Sequence, residues 1–528
     1  MSKITEAEII KSKGETSEIL EVIAISQMKA GHQEFTIEYY AGVAVDHPDT
    51  MLRLWEVLML TILDEGVSLC DRVNRREWLR VGSLGVGGLS LSHLLAAKNG
   101  ARAAGENRAP AAAFGKAKSV ILFWLTGGAP QHDTWDPKPN APAEIRGSFG
   151  SIASKTPGLF VGELMPKTAQ LTDKIAVLRA VATGDNAHSS SGYQMLTGVP
   201  HVPLNAESVT SKAPNLWPCA DSVVRSLRSA RNGLPSSVVL PEHIWNDGNF
   251  PWPGQDAGFL GQKLDPWLIH CDPSSPQFRV PALSFPDEIS PLRFDARRSL
   301  LEQVNRHLDT TLQGGQVQRF NDDTQQAIGL LSASAARRAF DLSDEPDAVR
   351  DRYGRSRYAQ SVLLSRRLVE SGVSIVRINW TRIKDQPNQG GWDTHATHEK
   401  ALQSFLMPIM DQCYSALLED LSQRGLLDET LVVWLGEFGH TPKINGNAGR
   451  DHWGNCFSIA LAGGGIRGGV VHGSSDKDAG FPVDGRVTPA DMLATIYHCL
   501  GYAPDTEMHD TLGRPFPISR GNVIEAVL

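Results

Sequence analysis

Four short stretches of this chain gather residues that could do metal or acid–base chemistry. Between Gly436 and Trp453, a loop rich in Gly and Asn carries Glu437, His440, Asp451 and His452. The segment GGWDTHATHE, residues 390–399, adds Asp393, His395 and His398, and the segment following Thr126 brings Asp133 and Asp136. A fourth stretch, TGDNAHSSSG from Thr183 to Gly192, holds His188 followed by Ser189, Ser190 and Ser191. Carboxylate oxygens and imidazole nitrogens are the donors that zinc, manganese or a similar divalent ion takes. The competing reading for each stretch is a solvated loop with scattered charges. The serines read either as N-caps of a short helix over Tyr193–Gly198 or as an anion-binding helix start.

Such groups act together only if the fold brings them to one place. The apolar runs Ser119–Leu125, Lys174–Ala182, Val373–Asn379 and Leu431–Leu435 read as buried strands, as do Phe457–Ala462 and Ser237–Leu240. Most of the donor sets lie just beyond such a run. That is the layout of an open α/β sheet whose site lies outside the strand C-termini. Amphipathic helices are expected over Arg357–Ser371 and Glu399–Arg424, and a helix over Thr488–Leu500 with Thr488 as cap and Pro489 in its first turn. Leu292 to about Ala339 reads as a polar helical region. Trp245, Trp252 and Trp267, in a Pro- and Gly-rich stretch, either wall a cleft or pack loops down.

The 528 residues suffice for one large α/β domain with insertions or for two domains. A net charge of −8 gives no footprint for nucleic acid. Six widely spaced cysteines without a CxxC pair exclude a zinc ribbon and indicate no disulfide framework. No stretch suggests a stable membrane span in the mature body. Residues 1–70 are mixed, partly helical in pattern and without a motif, so they stand as an unassigned extension, with Met51 and Met59 as alternative starts. Arg75-Arg76, followed by a Gly-rich, mildly apolar segment and small residues, resembles a twin-arginine export signal. The expected organisation is therefore an extension over 1–70, signal and linker over 71–115, and a main domain over 116–528 with an insertion at about 200–370. Twin-arginine export machinery is then an expected partner and the periplasm an expected location.

Taken jointly, GGAPQHDTWDPKPNAPAEIRGSF, HSSSGYQMLTG, GWDTH, GEFGHTP, GRDHW and LAGGGIRGG resemble the DUF1501 proteins, from about Asn74 to the C-terminus. The resemblance implies an alkaline-phosphatase-like, sulfatase-like α/β fold: a mostly parallel central sheet with helices on both faces and long loop insertions. It implies an exported metal-dependent hydrolase of phosphate or sulfate esters, with Zn, Mn or Ca as cofactor and a small-molecule or glycan ester as substrate. Carried over by position, Asp133, Asp393, His395 or His398, Glu437 with His440, and His452 resemble metal ligands, with Asp451 a ligand or the carboxylate that orients His452. The superfamily's nucleophile position falls on His188, with Ser189 adjacent; His188 itself reads alternatively as a metal ligand or a phosphoryl acceptor, and Phe438 stands where a metal-binding histidine is usual. A non-catalytic exported binding protein on the same scaffold is the alternative.

Overall fold

The computed structural model describes residues 113–245, 250–280 and 334–528, a few helical positions between 293 and 303, and the backbone of four strands between 8 and 62. Residues 1–109 and 110–528 form two compact units. In the first, Ile19–Ala30 and Gln33–Ala44 pair antiparallel, flanked by Glu8–Ser12 and Thr61–Ile62. This corrects the partly helical reading: β-branched and aromatic residues such as Ile19, Val22, Phe35, Ile37 and Tyr39 favour strands. Arg75-Arg76 and most of the polar helical region after Leu292 lie outside the described residues.

The second unit is built on an eight-stranded sheet. Its strands are β1 (Ser119–Trp124), β2 (Ile175–Val181), β3 (Ser237–Leu240), β4 (Trp267–Leu268), β5 (Ile375–Asn379), β6 (Thr430–Leu435), β7 (Phe457–Ala462) and β8 (Val471–His472). They lie in the order β4-β3-β5-β1-β6-β7-β2-β8. Only β7 runs against its neighbours, β6 and β2. The other pairings are parallel, from β4 through β6 and again between β2 and β8.

The strands are continuous apolar runs because both faces are covered. Ile121 and Phe123 of β1 join one core, with Val432 and Trp434 of β6. Val120, Leu122 and Trp124 join the other, with Leu431 and Val433. The period-two alternation of a strand sends successive residues to opposite faces. Helices α3 (Arg357–Glu370) and α4 (Met407–Gln423) cover the first face, and α1 (His188–Thr197), α2 (Ala220–Leu227) and α5 (Pro489–Cys499) the second. No helix among the described residues is long and apolar enough to cross a membrane.

Helix α5 starts where the sequence predicts. Thr488 Oγ1 accepts from Asp491 N, and the Asp491 side chain accepts from Thr488 N at 3.0 Å, a reciprocal capping box. Thr488→Ala is expected to cost about 1 kcal/mol, measured by urea unfolding. Helix α1 differs: it begins at His188, five residues before Tyr193. Its N-cap is Ala187, so the three serines lie inside the first turn and are not caps.

Parallel strands share one C-terminal edge. β1, β2, β5 and β6 all deliver their following loops there, and antiparallel β7 places the residues before its start at the same edge. This one topological fact brings Asp133, His188, Asp393, Glu437 and His452 to a single rim.

Candidate metal centre

At the rim, Asp393 is the hub. Its Oδ1 lies 2.9 Å from Nε2 of both His452 and His395, and its Oδ2 lies 3.2 Å from His188 Nε2. The Nε2 atoms of His395 and His452 are themselves only 2.9 Å apart. Behind each ring the other nitrogen is held by an acceptor. His188 Nδ1 meets Glu437 Oε1 at 2.8 Å, His395 Nδ1 meets Asp451 Oδ1 at 2.7 Å, and His452 Nδ1 donates to the Asn186 carbonyl at 2.8 Å. A carbonyl can only accept, so His452 Nδ1 carries a proton, and its Nε2 faces the Asp393 carboxylate. Imidazoles anchored at the back and converging at the front are the arrangement of a metal site.

The electrostatics agree. Burial would raise the Asp393 pKa, but hydrogen bonds from His188, His395 and His452 hold it far below the usual carboxylate range. Burial would lower His188, but Asp393 and Glu437 lift it to about 10. The hydrogen bond to Asp393, against burial, lifts His395 to about 9. The rim therefore favours positive charge at its centre, whether proton or cation. Among the described residues, His188, Asp393 and His452 form one group whose donor atoms lie within 4.8 Å of one another. Two ring nitrogens and one carboxylate oxygen within that distance of one another are a fit for a cation.

The remaining expected residues divide. Glu437 is fully buried, and its Oε1 takes both the Gly127 N–H at 2.7 Å and His188. Asp133 lies one layer deeper, 3.0 Å from His398 Nε2 and 3.8 Å from the buried Arg450 Nε. Burial would raise the Asp133 pKa, but the hydrogen bond from His398 holds it down. His398 Nδ1 lies 2.6 Å from Thr394 Oγ1, so His395 and His398 do not share a centre. His440 is buried beside Thr394 at 3.5 Å, and burial drives its pKa well below the usual histidine value. Asp451 orients His395; His452 is oriented instead by the backbone of Asn186. Asp136 is engaged by Lys138 at 3.1 Å and Arg179 at 3.6 Å, away from the hub.

Ser190 Oγ donates to Asp185 and Ser191 Oγ to the Glu437 carbonyl. Ser189 is buried with no partner for its hydroxyl among the described residues. It does not line the cleft, so Ser189→Ala is expected to leave turnover within about twofold, because an unpaired buried hydroxyl contributes nothing to lose. Steady-state kinetics check this.

A cleft of ≈ 200 Å³ opens onto His188, Asp393 and His395. Trp245, Trp252 and Trp380 wall it, and the Arg382 guanidinium lies 5.0 Å from the Trp245 ring centre. Trp252 stacks on His188 at 5.4 Å, whereas Trp267 packs against Phe340. Phe438 stacks on His452 at 4.5 Å and fixes that ring from its face. Sequence reasoning missed Asn186, Thr394, Arg382 and Trp380. Asn186 stands two residues before His188 and Thr394 next to Asp393, so proximity to the motifs was their only signal.

Residues 117–528 match the model of a family described as "Protein of unknown function (DUF1501)". No curated protein matches the sequence. Among solved structures, a sulfatase from Pseudoalteromonas sp. is similar at 14% identity and a TM-score of 0.33, covering 78% of this chain and 71% of that one. The lipoteichoic acid synthase of Listeria monocytogenes is similar at 9% identity and 0.34, covering 79% and 78%. A phosphonate monoester hydrolase of Agrobacterium radiobacter is similar at 11% and 0.32, covering 77% and 76%.

Proposed function

The chain belongs to the DUF1501 family, and from that premise we propose that it is an exported, metal-dependent hydrolase of phosphate or sulfate esters. The observation that carries this reading is that donor atoms of His188, Asp393 and His452 lie within 4.8 Å of one another beside a cleft lined by His188 and Asp393. A divalent ion bound there supplies Lewis-acid polarisation of an ester oxygen and acidifies water at neutral pH. The protein's own residues do the rest. Asp393, His188 and His452 would hold the ion, and Glu437 and the Asn186 carbonyl keep those two rings from turning. Arg382 offsets the negative charge of the ester, and the tryptophans dry the cleft so that charge interactions there are strong. His395, 44% exposed at its side chain and braced by Asp451, stands where it can give a proton to the departing oxygen. Water would add to phosphorus or sulfur and release a proton to solvent, the bond to the alcohol oxygen would break, and that oxygen would take the proton of His395, which regains one from solvent.

The test is metal analysis of the purified chain followed by turnover of aryl phosphates and aryl sulfates. Bound metal with hydrolysis is expected; no metal and no turnover would remove the proposal. One observation favours the alternative of a non-catalytic binding protein: the superfamily's nucleophile position is His188, whose ring is tied to Asp393 and Glu437. On that reading, His188→Ala leaves any measured hydrolysis unchanged, as Ser189→Ala does on either reading. Export rests on Arg75-Arg76 and is tested by cell fractionation and sequencing of the mature N-terminus.

A further inference from the structure

Resting on the metal-dependent reading above, we infer that the centre holds a single zinc-like ion on two imidazoles and one carboxylate, with Glu437 as a positioning residue and not a ligand. The superfamily resemblance makes Glu437 a ligand and leaves His188 either the reacting group or a ligand; the geometry sets His188 in front and Glu437 behind it. His188 Nε2 faces Asp393 while its Nδ1 is held by Glu437 Oε1, which is fixed a second time by the Gly127 N–H. This is a carboxylate–histidine–metal relay, with the carboxylate behind the ring. Glu437 also falls outside the group of donor atoms that lie within 4.8 Å of one another.

The donor set selects the ion. Calcium takes six to eight oxygen ligands and magnesium an octahedron of oxygens. The group of His188, Asp393 and His452 offers two ring nitrogens and one carboxylate, which suit zinc, cobalt or nickel. Three protein ligands leave a position open, and two of them, His188 and Asp393, line the cleft, so the opening faces substrate. A second ion has no comparable seat among the described residues. In the deeper layer, Asp133 is already neutralised by His398 at 3.0 Å with Arg450 alongside, and the other nitrogen of His398 is taken by Thr394.

The test uses the full chain, stripped by chelator, then offered Zn²⁺, Co²⁺, Ca²⁺ or Mg²⁺ separately and desalted. One zinc or one cobalt per chain is expected by mass spectrometry, with calcium and magnesium washed out. The cobalt form should show the intense visible bands of four- or five-coordination. Glu437→Gln should keep the stoichiometry at saturation while weakening affinity about 10–100-fold, and His452→Gln should lose the ion while keeping the far-UV circular dichroism of the parent. Since His452 is only partly buried, its variant tests the set even if changes at buried His188 unfold the chain. Two ions per chain, retained calcium, or Glu437→Gln losing the ion as fully as His452→Gln would overturn the inference. Stoichiometric zinc without ester turnover would support it while removing the hydrolase proposal, and calcium-dependent turnover would do the reverse.

Discussion

Asp393→Asn should abolish both ion retention and hydrolysis while leaving the fold in place. The asparagine has the same shape but no charge, and Asp393 is the one group that touches His188, His395 and His452 together. Loss of a partner behind a metal-binding ring already costs about 10–100-fold in affinity; loss of the central carboxylate should exceed that upper figure. The charge matters because the surrounding imidazoles hold Asp393 ionised far below the usual range. A carboxylate depressed in this way stabilises the metal-free fold above the ordinary aspartate pKa, and that contribution disappears as pH falls through the folded value. Asp393→Asn therefore also lowers metal-free stability at neutral pH. Two neighbours calibrate the result. Asp136→Asn, whose partners are Lys138, Arg179 and Ser475, should retain the ion fully. Asp133→Asn should disturb the deeper layer around His398 and keep most of the ion. Mass-spectrometric metal content and aryl-ester kinetics on all three decide it, and equal retention by Asp393→Asn and Asp136→Asn would sink the placement of the centre.

That ordering could not be taken from the sequence, where Asp133, Asp393 and Glu437 look alike: each is a carboxylate in a Gly-containing loop just past an apolar run. The strands themselves were legible because runs such as LVVWL and SVILFW are buried on both faces, which leaves no polar interruption to blur their ends. Site location followed from topology, since parallel strands have only one C-terminal edge. What a sequence cannot encode at this level is depth. Whether a histidine turns its Nε2 toward Asp393, as His452 does, or spends both nitrogens in the deeper layer, as His398 does, depends on which acceptor lies behind the ring. For His452 that acceptor is a backbone carbonyl more than 260 residues away, a contact with no side-chain signature. The start of helix α1 was misplaced for a related reason: the propensity of three serines argues against a helix interior, yet Asp185, Thr183 and the Glu437 carbonyl take the hydroxyls of Ser190 and Ser191.

The turn after β1 makes the most demanding claim on the backbone. Gly127 has φ +106°, and a Cβ placed there would come 2.3 Å from Asp393 N and 2.8 Å from Trp392 C. The same residue donates its N–H to Glu437 Oε1. One small residue thus sets the separation between the hub carboxylate and the acid that steers His188. Gly127→Ala meets two penalties. The positive φ alone costs an L-residue about 1–3 kcal/mol, and the collision is with backbone atoms that no rotamer change can move. Gly425 supplies the control: its φ is +69°, but nothing lies within 4 Å of a Cβ built there. Gly425→Ala should show the conformational cost alone, with ion content and turnover intact. Gly127→Ala should lose clearly more stability in urea unfolding, by a further ~2 kcal/mol or more, and retain no ion because Asp393 is pushed from His188 and His452. If the two alanine variants match in stability and both keep the ion, the backbone approach of β1 to the Asp393 loop does not shape the centre, and the positions of its ligands must be fixed by side-chain packing alone.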